Sequence, residues 1–134
     1  MSFTLINPES LGRPSGYSNG VLCEPGGQLL FVAGQIARDE KQMIVSEDFV
    51  EQFDQALGNV LSVVQEAGGS GRQIARMVVY VTNKLEYLEH TAIIGQRYRA
   101  HMGKHFPAMT LVEVKSLLDP AAKVEIEAIA ILTS

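Results

Sequence analysis

The chain has 134 residues, of which 46% are hydrophobic, and its 11 basic and 15 acidic side chains give a net charge of −4. This size predicts a single domain over residues 1–134 with one core. The acidic balance argues against a nucleic-acid partner, because such proteins need clustered positive charge. No apolar run approaches the ~20 residues that cross a membrane, so we expect a cytoplasmic protein without a membrane partner.

The predicted elements begin with a hairpin over residues 20–36. Val21-Leu22-Cys23 and Leu29–Ala33 flank a run of turn formers, Glu24-Pro25-Gly26-Gly27-Gln28, a pattern typical of two antiparallel strands. The single cysteine, Cys23, cannot form a disulfide within the chain, and its apolar neighbours favour a packing role over a nucleophilic one.

Two helices and three further strands follow the hairpin. Apolar residues between Ser46 and Glu66 recur at helical spacing, with Ser46 as the expected N-cap. We expect a strand over 74–81, a second helix over 87–102, and strands over 108–115 and 123–133. The order ββαβαββ predicts a two-layer α+β domain.

Three of these strands are apolar on both faces, although two helices can cover only one side of a sheet. They are Leu29–Ala33, Met77–Val81 and Ile129–Leu132. Symmetric self-association commonly buries such a surface, so the pattern predicts an oligomer. The alternative is that these are short strands with ordinary exposed apolar residues.

The last predicted strand places carboxylates beside an apolar surface. Strict alternation divides it into one face with Val124, Ile126, Ala128 and Ala130 and another with Glu125, Glu127, Ile129 and Ile131. A carboxylate in a partly apolar pocket can exchange protons or orient a water molecule, and Glu113 on the neighbouring predicted strand could join the pair. Salt bridges to Lys115 and Lys123 are the alternative use of these carboxylates.

The histidines and glycines predict neither a metal site nor a cofactor. His101 and His105 are four residues apart, but Gly103 between them is expected to end the helix. We expect His90, Arg97 and His101 to share a solvated helix face. The glycines follow neither the dinucleotide nor the phosphate-loop pattern.

An aromatic residue, Tyr17, lies in the segment rich in Gly and Pro over residues 12–20. A tyrosine in such a segment can cover a ligand pocket and offer its hydroxyl group. It could equally pack over a sheet edge.

Five segments with a characteristic order run almost from end to end of the chain. They are Pro14-Ser15-Gly16-Tyr17-Ser18, Gly34-Gln35-Ile36, Phe106-Pro107-Ala108, Val112-Glu113-Val114 and Val124-Glu125-Ile126-Glu127-Ala128. Together they resemble the Rid (YjgF/YER057c/UK114) family. The resemblance implies a chorismate-mutase-like α+β fold assembled as a homotrimer, in which the sheets form a central barrel and small-molecule ligands bind in clefts between subunits.

The resemblance also implies an activity, the cofactor-independent hydrolysis of imines or enamines such as 2-aminoacrylate to 2-keto acids and ammonia. It implies that Glu125 positions the attacking water, that Tyr17 lines the pocket, and that backbone groups at Gly34 and Leu111 contact the substrate. The family's substrate-binding arginine corresponds to Met109. A thioether can neither neutralise a carboxylate nor donate two hydrogen bonds.

Two further departures, Ala33 and Gly95, stand where the family often has polar residues. We therefore expect an altered substrate, either one less anionic than an imino acid or one held by another cation. The candidates for that cation are Arg13, Arg97 and Lys115. The alternative is a non-catalytic trimer that binds a metabolite or a regulatory partner. An endoribonuclease, a label often attached to the family, is disfavoured by the acidic balance.

Overall fold

The structure is a computed structural model that describes residues 3–24 and 26–133. In chain order its elements are β1 (Thr4–Ile6), β2 (Gly20–Leu22), β3 (Gln28–Gln35), α1 (Phe49–Glu66), β4 (Ile74–Val81), α2 (Lys84–Leu88), α3 (Thr91–Met102), β5 (Ala108–Glu113) and β6 (Val124–Leu132). Single turns of 3-10 helix lie at Glu9–Leu11 and Gly71–Gln73. Within the described residues, no helix is long and apolar enough to cross a membrane.

The main sheet has the strand order β3-β6-β4-β5, so β3 and β5 form its edges. β6 pairs antiparallel with both β3 and β4, whereas β4 and β5 are parallel. The core lies between this sheet and the helices α1 and α3, where Leu57, Val79 and Ile126 are almost completely buried. The two-layer α+β architecture predicted from the sequence is confirmed.

The two faces of β6 differ as the alternation predicted. Val124, Ile126, Ala128 and Ala130 are buried beneath the helices, and Glu125, Glu127, Ile129 and Ile131 are half-buried on the opposite face. No helix covers that second face among the described residues, and we call it the open face. On β3, Leu29 and Phe31 lie opposite Ile131 and Ile129 and are 62% and 70% exposed. The open face is therefore a large apolar surface within one chain.

The predicted hairpin over residues 20–36 is wrong. β2 pairs with β1, a strand that the sequence did not indicate, and β3 pairs with β6. Pro25 of the expected turn lies outside the described residues. A turn motif acts locally, but burial decides which strands pair: β3 gains a long apolar partner in β6, and the three residues of β2 offer little surface.

The helix boundaries also differ from the prediction. Helix α1 is capped by Asp48 rather than Ser46, because Oδ2 of Asp48 accepts a hydrogen bond of 3.0 Å from the amide of Glu51. The helix expected over 87–102 is divided into α2 and α3. Asn83 caps α2, and the division falls at His90, whose φ of −128° and ψ of 25° are not helical.

Candidate functional site

A cavity of about 480 Å³ lies between β5, α3 and the segment that precedes β2, and we call it the helix-side cavity. Met109 and Leu111 line it from β5. Their pairing with Met77 and Val79 of β4 places them on the sheet face that the helices cover. Much of the remaining wall is aromatic or aliphatic, with contributions from Phe53, Tyr87, Ile94, Tyr98 and Phe106.

The aromatic part of this wall is held in place by stacking and by a hydrogen bond. The rings of Tyr98 and Phe106 stack with centroids 5.4 Å apart and planes within 7° of parallel. The Tyr98 hydroxyl donates a hydrogen bond of 2.7 Å to the carbonyl of His105. Burial raises the pKa of Tyr98, so the phenol stays a donor. The cavity therefore has a preformed apolar surface.

The segment containing Tyr17 is fixed against the start of β5. The Ser18 hydroxyl donates a hydrogen bond of 2.5 Å to the carbonyl of Phe106, and the Ser18 amide donates one of 3.0 Å to that of Pro107. These bonds bring Ser15 and Gly16 into the lining of the helix-side cavity. Tyr17, the next residue along the chain, is 39% exposed.

Among the described residues that line this cavity, Arg99 of α3 is the one with a charged side chain. The three cations expected from the sequence lie elsewhere. Arg13 lines a separate surface depression with Asn7, and Lys115 lines another near the start of β6. Sequence reasoning missed Arg99, although its spacing of four residues from Gly95 places both on one helix face.

Arg97 is occupied by ion pairs between α3 and α1, so the expected solvated face is wrong. Its guanidinium contacts Glu51 at 2.8 Å and Asp54 at 2.7 Å. The hydrogen bond to Glu51, and then that to Asp54, raise the pKa of Arg97. Nε2 of His101 lies 2.6 Å from the second oxygen of Asp54. These side chains join two helices, whereas His90 contacts the carbonyl of Glu86 through Nδ1.

On the open face, the carboxylate of Glu125 lies against the backbone of Gly34. A Cβ atom added at Gly34 would overlap the Glu125 carboxylate, with the carboxyl carbon only 2.8 Å away. The described residues form no ion pair with Glu125 or Glu127, and Lys123 pairs with Glu86 at 3.3 Å. The alternative of salt bridges from these glutamates to Lys115 and Lys123 is therefore not found.

Glu127 and Glu113 have structural partners. The Tyr80 hydroxyl donates a hydrogen bond of 2.6 Å to Oε1 of Glu127, and this bond is the main reason why the pKa of Tyr80 is raised. Glu113 accepts a hydrogen bond of 2.9 Å from the amide of Lys84 at the start of α2. Its register with Val81 puts Glu113 on the helix-covered face, and β4 lies between β5 and β6, so Glu113 does not join Glu125 within one copy.

A buried glutamine fixes the entry into β6, which the sequence did not reveal. Gln52 of α1 is fully buried. Its Nε2 donates to the carbonyls of Ser46 at 2.8 Å and Ala121 at 2.9 Å, and its Oε1 accepts from the amide of Lys123 at 2.8 Å. Lys123 precedes Glu125 by two residues, so Gln52 fixes the backbone at the start of the strand that carries Glu125.

Comparison with known proteins identifies the family. Residues 9–132 match the family described as Endoribonuclease L-PSP. A structure from Yersinia pestis, described as a protein of unknown function of the conserved Rid protein family, is 31% identical with a TM-score of 0.84, covering 98% of this chain and 100% of that one. The chain belongs to the Rid family.

Among further relatives, one has a described activity, one is described by its family alone, and one has a bound ligand. The 2-iminobutanoate/2-iminopropanoate deaminase of Salmonella typhimurium is 36% identical over 134 residues, which cover 98% of each chain. A RutC family protein of Pyrococcus abyssi is 34% identical over 97% of this chain and 98% of its own. The structure of E. coli TdcF with bound serine is 30% identical, with a TM-score of 0.67 and coverage of 91% and 92%.

In this Rid-family chain the candidate site residues form two groups. Met109 and Leu111 lie on the helix-covered face of the sheet, and Glu125 and Gly34 lie at its open face. The sheet separates the two groups within one copy. Among the described residues, no three His, Cys, Asp or Glu side chains are grouped closely enough to hold a metal ion.

Proposed function

We propose that this protein is a cofactor-independent hydrolase of small imines or enamines, with a substrate altered by Met109. Its relationship to the Salmonella typhimurium deaminase supports the reaction class. The binding of serine by E. coli TdcF supports a ligand with an amino-acid skeleton.

The proposal rests on the placement of Glu125 relative to the helix-side cavity. Glu125 and the helix-side cavity lie on opposite faces of the sheet. They also lie toward opposite edges, because β6 is next to the edge strand β3 and the cavity is lined by the other edge strand, β5. If the β3 edge of one copy meets the β5 edge of the next, Glu125 and Gly34 approach the cavity of a neighbouring copy. Such head-to-tail contacts form a ring when the rotation between successive copies closes.

A ring of three copies would also bury the open face. Leu29, Phe31, Ile129 and Ile131 would then line the inside of a barrel of sheets, which removes their apolar surface from water. The edge strands β3 and β5 would also gain neighbours for their unpaired backbone groups. We therefore propose the homotrimer and the complete site together, because the same contacts between copies would form both.

In the proposed reaction, water is the nucleophile and Glu125 its orienting group. The Glu125 carboxylate accepts a hydrogen bond from the water and directs its oxygen at the imine carbon. That oxygen becomes the keto oxygen. The two water hydrogens pass to the imine nitrogen, which leaves as ammonia, so no electrons are exchanged with a cofactor. Tyr17, Gly34 and Leu111 are proposed to contact the substrate.

The second candidate function is a non-catalytic trimer that binds a metabolite. The observation that favours it is the mainly apolar and aromatic lining of the helix-side cavity, with Met109 in place of the family's arginine. Such a surface can retain an apolar ligand without any reaction.

The test is to generate imines in situ with an amino-acid oxidase and to measure release of the 2-keto acid. We expect acceleration that Glu125→Gln abolishes and that Glu127→Gln leaves largely intact, because Glu127 is bonded to Tyr80. Failure to accelerate hydrolysis of any imine, in a protein shown to be trimeric by light scattering, would support the binding function instead.

A further inference from the structure

The helix-side cavity combines a wide apolar wall with a guanidinium at its boundary. Met109, Phe53 and the stacked pair Tyr98 and Phe106 provide the wall. Arg99 lines the same cavity and is exposed. A ligand with an apolar body and one negative charge could pack its body against the wall and pair its charge with the guanidinium.

Gly95 gives the Arg99 guanidinium its position. Side chains on a helix lean toward the preceding turn, and Nη1 of Arg99 lies 3.1 Å from where a Cβ atom of residue 95 would be. The absence of a side chain at Gly95 lets the guanidinium lie over the first turns of α3. No carboxylate among the described residues pairs with Arg99, whereas Arg97 is held by Glu51 and Asp54. Arg99 is therefore available to an external anion.

We propose that Arg99 binds the substrate carboxylate in place of the arginine missing at position 109, and that the substrate is a 2-imino acid with a bulky apolar or aromatic side chain. The side chain of the substrate lies against Met109 and the aromatic wall, since a thioether makes favourable contacts with aromatic rings. The guanidinium offers two parallel hydrogen bonds to the carboxylate. This inference rests on the proposed function for its reaction, but not for its binding chemistry.

The size of the cavity agrees with this substrate class. At about 480 Å³ it falls in the range of cavities that enclose drug-sized molecules rather than a three-carbon acid. A small imino acid would contact Arg99 and leave most of the apolar wall in contact with water. In the reaction, the imine C=N bond is replaced by the C=O bond of an apolar 2-keto acid, and ammonia leaves.

Binding can be tested without turnover by titrating the protein with 3-phenylpropanoate in a calorimeter. Propanoate and 3-phenylpropanol are the matched probes that lack the ring and the charge. We expect 3-phenylpropanoate to bind best, Arg99→Gln to weaken it about tenfold, and Arg99→Lys to recover part of the loss. Gly95→Ala should weaken it less, because the flexible Arg99 can move by a few tenths of an ångström.

Arg13→Gln is the matched control, because Arg13 lines a different depression. Equal binding of 3-phenylpropanoate by the wild-type protein and Arg99→Gln, or tighter binding of 3-phenylpropanol, would overturn the inference. Hydrolysis of bulky imino acids that is indifferent to Arg99→Gln would overturn it while leaving the proposed function standing. Arg99-dependent binding without hydrolysis would support the binding role of Arg99 and contradict the hydrolase.

Discussion

The Glu125 carboxylate occupies the space that a side chain at Gly34 would need. Gly34 does not have a positive φ, so its lack of a side chain serves this close approach rather than a turn. The contact joins the edge strand β3 to β6 at the point where we propose that water is oriented. Glycine at position 34 is thus part of the geometry of Glu125.

Replacing Gly34 with alanine should displace the Glu125 carboxylate and abolish most of the imine hydrolysis. A Cβ at this position cannot coexist with the observed carboxylate, so we expect at least a tenfold loss, on the order of one misplaced catalytic group. The measurement is keto-acid release, with circular dichroism to verify folding. Gly58→Ala is the control, because its Cβ would meet only His101 at 3.5 Å. Equal losses in both variants would refute the specific role of Gly34.

The fold was largely predictable from the sequence, but the partners of β2 and β3 were not. Helical spacing and strand alternation report which residues are buried, and these patterns located α1, β4 and β6. They do not report which strand lies beside which. The turn formers after Cys23 suggested a local hairpin, while the stable pairing of β3 is with β6, about a hundred residues further along.

The candidate site was predictable in its residue types and not in its arrangement. The family motifs indicated Glu125 and Met109 as site residues. The sequence does not show that the sheet separates these two residues within one copy. Arg99 belongs to no family motif, and only the folded chain shows that it lines the same cavity as Met109 and lies over Gly95. Gln52 was missed because two of its three hydrogen bonds run to backbone atoms distant in sequence, at Ala121 and Lys123.

Replacing Gln52 with leucine should destabilise the protein by about 2 kcal/mol, because it leaves part-buried backbone groups at Ala121 and Lys123 without these hydrogen-bond partners. The measurement is urea unfolding followed by circular dichroism. Gln65→Leu makes the same chemical change on an exposed part of α1 and should have little effect. A Gln52→Leu protein as stable as the wild type would show that this network contributes nothing to folding.

Restoring an arginine at position 109 should shift the substrate preference toward small imino acids. Wild-type protein should hydrolyse 2-aminoacrylate or 2-iminobutanoate weakly, because Met109 cannot bind a carboxylate. Met109→Arg should gain partial activity on these substrates and lose activity on bulky ones. Met43→Arg, at a residue 64% exposed, controls for the added charge. Strong wild-type hydrolysis of 2-iminobutanoate would contradict this interpretation of Met109.

Tyr80 should ionise above the ordinary tyrosine range, because its proton is held by Glu127. A pKa raised by folding means that this bond stabilises the protein fully below the unfolded pKa of about 10. The stabilisation is lost as the pH rises through the folded pKa. The phenolate absorbance at high pH should therefore lose the contribution of one late-ionising tyrosine in Tyr80→Phe, while that of Tyr98 remains.

Tyr98→Phe serves as the comparison, since burial rather than a carboxylate raises the pKa of Tyr98. Glu127→Gln should bring the Tyr80 transition down toward the ordinary range and leave that of Tyr98 in place. If Glu127→Gln left the whole titration curve unchanged, the Tyr80–Glu127 bond would not be the cause of the shift.

Co-expression of two inactive variants tests most directly whether the site is shared between copies. Glu125→Gln removes the water-orienting group, and Arg99→Glu reverses the charge of the helix-side cavity, so each variant alone should be inactive. In a mixed ring of three copies about a third of the sites combine an intact Glu125 from one copy with an intact Arg99 from the next. We predict recovery of about that fraction of wild-type hydrolysis in purified mixed trimers, and mixed trimers as inactive as either parent would contradict a shared site.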